Sequence, residues 1–166
     1  IVYYFMDPVI MSNKIRTDII TSFCQYTICT FGYVYNNKIN STYKRHNIQG
    51  IDRSRFYKIN NWENRYERII FVGNITPKRY SFVDKLKSNG VPIDCYGLGW
   101  ENKSVYGSEL NKIYNKYKYA LNICQDRFGF SVRIQQCLAS GCIVFSEVCE
   151  DLLRIPSLSK NIILFD

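Results

Sequence analysis

Three features of the sequence predict an α/β fold, a Rossmann-like, doubly wound parallel sheet. Short apolar runs alternate with stretches of helical period, roughly 10–14 residues long, as in strands joined by crossover helices. Glycine, proline or a capping hydroxyl marks most of the junctions. The 166 residues are 46% hydrophobic, which is ample for a buried core.

The elements follow in order. Residues 1–6 (Ile-Val-Tyr-Tyr-Phe-Met) read as a strand ended by Asp7-Pro8. Ile15, Ile19, Ile20 and Phe23 fall at i, i+4, i+5 and i+8, which predicts a helix with one apolar face. Residues 26–31 read as a second strand stopped by Gly32, and the polar stretch 36–47 as a helix. Residues 50–68 show no clear period and read as a connector. Beyond Arg68 the pattern sharpens. Ile69-Ile70-Phe71-Val72 is a buried strand running into Gly73-Asn74-Ile75-Thr76, and Pro77 suits the first turn of a helix capped by Thr76. Phe82, Val83 and Leu86 give that helix its stripe, and Asn89-Gly90 ends it. Residues 91–96 are the next strand, leaving through Gly97-Leu98-Gly99-Trp100. Leu110, Ile113, Tyr114 and Tyr117 predict a helix, residues 119–124 a strand and residues 125–130 a loop. Ser131 caps a helix that runs to Ser140, with Gly141 as its stop. Residues 142–145 and 162–165 complete the strands.

Charge and cysteine content narrow the function. Against 14 Asp and Glu stand 22 Lys and Arg, a net charge of +8. The excess is local: residues 38–79 hold ten basic residues and three acids, whereas residues 80–166 hold ten and nine. Such a stretch fits either an anion-facing surface or a solvated connector. It brings no recognised nucleic-acid motif, so a nucleic acid is not expected as a partner. No apolar run reaches the roughly 20 residues of a membrane span, and the opening residues lack the basic leader of a signal peptide. The seven cysteines include no C-x-x-C pair and the single histidine is His46, so no metal site is expected. They read as small buried thiols, which fits a reduced, cytoplasmic protein.

Ligands of doubly wound sheets lie at the carboxyl ends of strands, where loops lead into helix N-termini. Gly73, Asn74, Thr76, Lys78 and Arg79 gather a glycine, a capping hydroxyl and two cations at one such exit. They read either as an anion site or as a routine turn with solvated cations. Gly97-Leu98-Gly99-Trp100 lacks the third glycine of a dinucleotide fingerprint; Trp100 reads as a stack for a base or as packing. The strongest candidate is 128–136, Phe-Gly-Phe-Ser-Val-Arg-Ile-Gln-Gln. Arg133 lies in a first helical turn, where a cation opposes the helix dipole. That placement is explained by a bound anion, or by an ion pair with a nearby acid such as Glu147.

At these residues the chain resembles the carboxyl-terminal, nucleotide-sugar-binding half of GT-B glycosyltransferases, and within them the spore-maturation (CgeB-like) group of family-1/family-4-like enzymes. The resemblance covers residues 68–166. It rests on Phe71-Val72-Gly73-Asn74 with Pro77 and Arg79, on Tyr96-Gly97-Leu98-Gly99-Trp100, and most specifically on Ser131-Val132-Arg133 with Ala139-Ser140-Gly141-Cys142-Ile143-Val144.

The resemblance implies transfer of a sugar from a nucleoside-diphosphate sugar to an acceptor it does not identify. The donor would lie along Gly73, Asn74, Thr76, Lys78, Arg79, Gly129, Phe130, Ser131, Arg133 and Gln136, with Ser131 and Arg133 on the diphosphate, helped by Lys78 or Arg79, and Gly99 and Trp100 on the base. Gln136 falls where the family has a glutamate on the ribose, and Phe128 where related enzymes place a second glutamate. No cofactor is implied beyond the sugar donor, and fixed cations stand in for a metal. Residues 1–67 would be a remnant of the amino-terminal half plus connector, with a partner chain or missing domain completing the cleft. Asp7 and His46 are the local candidates for an acceptor-side base, though each reads more simply as structural. The alternative is a non-catalytic module that holds a nucleotide or sugar.

Overall fold

The computed structural model describes residues 2–5, 19, 22–30, 41–47, 50–124 and 131–166, with the backbone alone for 2–5, 44 and 46. It divides into two compact units: residues 1–50, 124–130 and 148–159 form one, and residues 51–123, 131–147 and 160–166 the other. Among the described residues no helix is long and apolar enough to cross a membrane.

The first unit contains a parallel three-stranded sheet of β1 (Val2–Phe5), β2 (Tyr26–Cys29) and β3 (Tyr43–His46), in that order. The β3 strand corrects the helix expected over 36–47. The Tyr43 amide donates to Gln25 O at 3.2 Å, the Asn47 amide donates to Cys29 O at 2.8 Å, and the rings of Tyr26 and Tyr43 stack at 5.0 Å. Pairing with a neighbouring strand overrides a polar local pattern. Of the helix expected over 15–23, Ile19 and Phe23 are exposed rather than core, and its other apolar positions lie outside the described residues, as does 125–130. Two short helices, α4 (Glu150–Leu153) and α5 (Pro156–Ser159), belong to this unit. Four residues, about one turn of helix, are too few to leave a periodic signal, so neither is evident in the sequence.

The second unit is a five-stranded, all-parallel sheet flanked by helices, the α/β architecture expected. In chain order it comprises β4 (Tyr66–Val72), α1 (Pro77–Ser88), β5 (Ile93–Tyr96), α2 (Gly107–Tyr114), β6 (Tyr117–Asn122), α3 (Arg133–Ala139), β7 (Ile143–Glu147) and β8 (Ile162–Phe165). Its order is β5-β4-β6-β7-β8. From β4 the chain moves one way to β5 and then crosses to the other side for β6, so the switch point lies between β4 and β6. Phe71, Ile93, Cys95, Leu121 and Ile123 pack with Val83 of α1, backed by Phe82 and Leu86. Thr76 caps α1 as predicted, its Oγ1 accepting from the Arg79 amide at 3.3 Å.

Two boundaries differ from expectation. Tyr117 completes the periodic spacing from Leu110, yet α2 stops at Tyr114, and Tyr117 opens β6 opposite Tyr66. The reason is Asn115: its buried amide is drawn toward Tyr57, Ile59 and Asn60, and the chain turns there. The supposed connector is equally ordered. Residues 62–64 form a 3-10 turn, and Phe56 and Arg65 are buried.

Candidate functional site

The switch point collects the carboxyl ends of three strands: β4 runs into Gly73, β6 ends at Asn122, and β7 ends at Ser146-Glu147. Above them begin α1, with Lys78 in its first turn, and α3, with Arg133 as its first residue. Ser131 precedes that helix by two residues rather than capping it directly. Its Oγ still accepts from the Arg133 amide at 3.2 Å, which satisfies one otherwise orphaned donor.

Arg133 is half-buried and tightly held. Its Nη1 donates to Asn122 Oδ1 at 2.9 Å, and its Cζ lies 5.3 Å from the centre of the Phe71 ring. A Cβ on Gly73 would stand 2.7 Å from Arg133 Nη2, so any larger residue at 73 would evict the guanidinium. Glu147, the acid considered as its partner, pairs instead with Lys78 Nζ at 2.6 Å. Arg133 makes no ion pair with any described residue. Beneath it, burial pushes the Tyr114 phenol and the Cys137 thiol upward, so both stay neutral and neither offsets its charge.

The other expected residues sort by what already engages them. Arg79 is 9% exposed; its Nη1 donates to Asn74 O at 3.0 Å and its Cζ lies 5.7 Å from the same Phe71 ring. Two guanidinium groups therefore share one aromatic side chain. Asn74 is exposed, with its Oδ1 accepting from the Leu98 amide at 3.3 Å. Lys78 is exposed and ion-paired, while Gln136 is half-buried one turn into α3. Trp100 donates its indole N–H to Gly73 O at 2.8 Å and packs edge-on to Phe71. Gly97 takes φ +135° with its would-be Cβ 2.5 Å from Gly73 O, and a Cβ on Gly99 would strike Ile75. These two glycines let the loops after β4 and β5 zip together through Gly73 N–H to Tyr96 O and Ile75 N–H to Leu98 O. Gly129 and Phe130, with Phe128 and Asp7, lie outside the described residues; His46 contributes its backbone to β3.

Sequence reasoning missed Asn122, Ser146 and Phe71 as members of the site. Asn122 Nδ2 donates to Ser146 Oγ at 2.9 Å, and Ser146 Oγ donates to Glu147 O at 3.0 Å. One signal was available: Ala120-Leu121-Asn122 and Val144-Phe145-Ser146 each pass from apolar to small polar residues, at or one residue before the end of the strand, where ligands bind.

No curated protein matches the chain. A family model described as glycosyl transferase-like matches residues 78–166. That match spans more than half of the chain and runs from the first turn of α1 through β8, taking in Asn122, Ser131 and Arg133 at the switch point; the chain belongs to the glycosyl transferase-like family.

Proposed function

We propose that the carboxyl edge between β4 and β6 binds the diphosphate of a nucleoside-diphosphate sugar, and that the protein transfers the sugar to an acceptor. One observation carries the reading: Arg133 is a fixed, half-buried cation at a helix start with no carboxylate partner among the described residues. A cation there opposes the α3 dipole, a cost that an anion in contact with it offsets. Sugar transfer leaves a diphosphate on which negative charge grows, and a cation already in place favours that charge without reorganising. Ser131, Gly73 and the α1 start would complete the cradle, with Lys78 and Arg79 adding positive potential. Gly99 and Trp100 are the proposed neighbours of the base. In the GT-B arrangement, residues 68–166 would be the donor half, with the acceptor held by another half.

Calorimetry with nucleoside diphosphates tests the reading. Arg133→Ala is expected to weaken binding by about 1.5–3 kcal/mol, the range for hydrogen bonds to charged groups. Equal affinity for both proteins removes Arg133 from the site. A second reading, a binding module without catalysis, is favoured by Gln136, an amide where the resemblance calls for a glutamate. Release of nucleoside diphosphate from a panel of nucleotide sugars separates them. Binding without turnover across the panel selects the module.

A further inference from the structure

A strand end buried in a sheet is an expensive place for an amide unless every polar atom is used. Both polar atoms of the Asn122 side chain are hydrogen-bonded, and the residue is only 1% exposed. The hydrogen bonds around it also have a direction. The Ser146 hydroxyl commits its hydrogen to Glu147 O, so its oxygen presents a lone pair to Asn122. The amide must turn its NH2 toward Ser146 and its carbonyl oxygen toward Arg133. The guanidinium is thus held by an amide oxygen and the Phe71 ring, neither of which carries net charge, and it lies in the space that a Cβ on Gly73 would fill.

We propose that Asn122 is a positioning residue, a neutral tether that fixes the direction of the Arg133 guanidinium while leaving its whole charge to an anionic ligand. The inference rests on the reading of Arg133 as the diphosphate-binding group. Its content lies in the choice of amide over carboxylate. Aspartate at 122 would have almost the same shape, would take the hydrogen of the Ser146 hydroxyl in place of Glu147 O, and would bond the guanidinium more strongly. It would also cancel the charge that draws the ligand. Among the described residues, the ion pair near the site, Lys78 with Glu147, is on a different cation.

The test uses the whole chain, with inorganic pyrophosphate and uridine, adenosine and guanosine diphosphates as probes. Asn122→Asp is expected to unfold at the wild-type temperature or above it, yet to bind the probes at least about ten-fold more weakly. Asn122→Ala is expected to lose both stability and affinity. A merely structural role moves the two together, so stability kept while affinity falls in Asn122→Asp is the signature of the tether. Nitrogen NMR of the free wild-type protein gives a readout independent of any variant's folding: hindered rotation should keep the Arg133 Nη resonances apart. Merged resonances overturn the tether. Wild-type affinity in Asn122→Asp, alongside weakened binding in Arg133→Ala, also overturns it and leaves the anion site standing. Unchanged binding in Arg133→Ala, or no binding by the wild type, overturns the anion site and the tether together.

Discussion

The Arg65 guanidinium donates from Nη2 to Ser140 O at 2.8 Å, at the residue that closes α3. The same nitrogen reaches Asn115 Oδ1 at 2.8 Å, where Asn115 closes α2. Arg65 is 4% exposed and sits against the negative ends of two helices, whose last carbonyls lack partners of their own. Asn115 and Asn111 in turn accept from the amides of Tyr57, Ile59 and Asn60, which fastens the 51–65 segment to the helices.

Arg65→Met should therefore cost about 3 kcal/mol, because several buried oxygens lose their donor at once. The thermal midpoint is expected to fall by roughly 6–12 °C. Arg65→Lys should recover only part of it, since an ammonium cannot span the same set of acceptors. Thermal unfolding of the three proteins checks the order; a midpoint in Arg65→Met equal to wild type would contradict it.

Two glycines with positive φ should respond differently to alanine. At Gly97 a Cβ meets Gly73 O at 2.5 Å, whereas at Gly90, φ +77°, it meets nothing within 4 Å. Gly90→Ala is expected to cost about 1–2 kcal/mol of backbone strain alone. Gly97→Ala should cost about 3 kcal/mol or more, because the clash also parts the loops after β4 and β5. Urea midpoints of the pair measure the difference.

Acid should weaken the second unit through Asp94. The Arg68 guanidinium beside it holds the carboxyl below its ordinary value of 3.8, with further help from the Tyr117 hydroxyl at 2.9 Å and against the pull of desolvation. A folded-state value below the unfolded one means the contribution is present above pH 3.8 and is lost as pH falls through the lowered value. Asp94→Asn should flatten the acid side of a stability–pH curve. A wild-type slope in that variant would count against the assignment.

All seven cysteines are buried and none is disulfide-bonded. Burial pushes the Cys95 and Cys142 thiols up to about 12 and raises Cys137 as well. At pH 8 a thiol-specific reagent should therefore label native protein slowly, and all seven sites after unfolding. Rapid labelling of Cys95 or Cys142 in the native protein would refute this.

Much of the second unit was legible because its signals are local. Apolar runs, Thr76-Pro77 and Asn89-Gly90 state where strands stop and helices start, and each depends on neighbours in sequence. The 36–47 and 110–117 stretches were misread for the converse reason. Strand pairing between Tyr26 and Tyr43 and the capture of Asn115 by Ile59 and Arg65 are contacts between distant parts of the chain. In the candidate site, the sequence singled out Arg133 and Ser131 through a cation at a helix start, and the structure brings the two together there. Glycines 97 and 99 were evident as special, though what they serve is a loop-to-loop contact.

By itself the sequence determined the α/β class, the parallel order of strand and helix, and a cation placed against a helix dipole. These follow from periodicity and from the fixed geometry of helix ends, which act over a few residues. Tertiary structure alone decided that Glu147 goes to Lys78, that Asn122 holds Arg133, and that Arg65 closes two helices. Each of those pairs joins residues 11 to 75 positions apart, and which acceptor a guanidinium reaches depends on how the strands are ordered across the sheet.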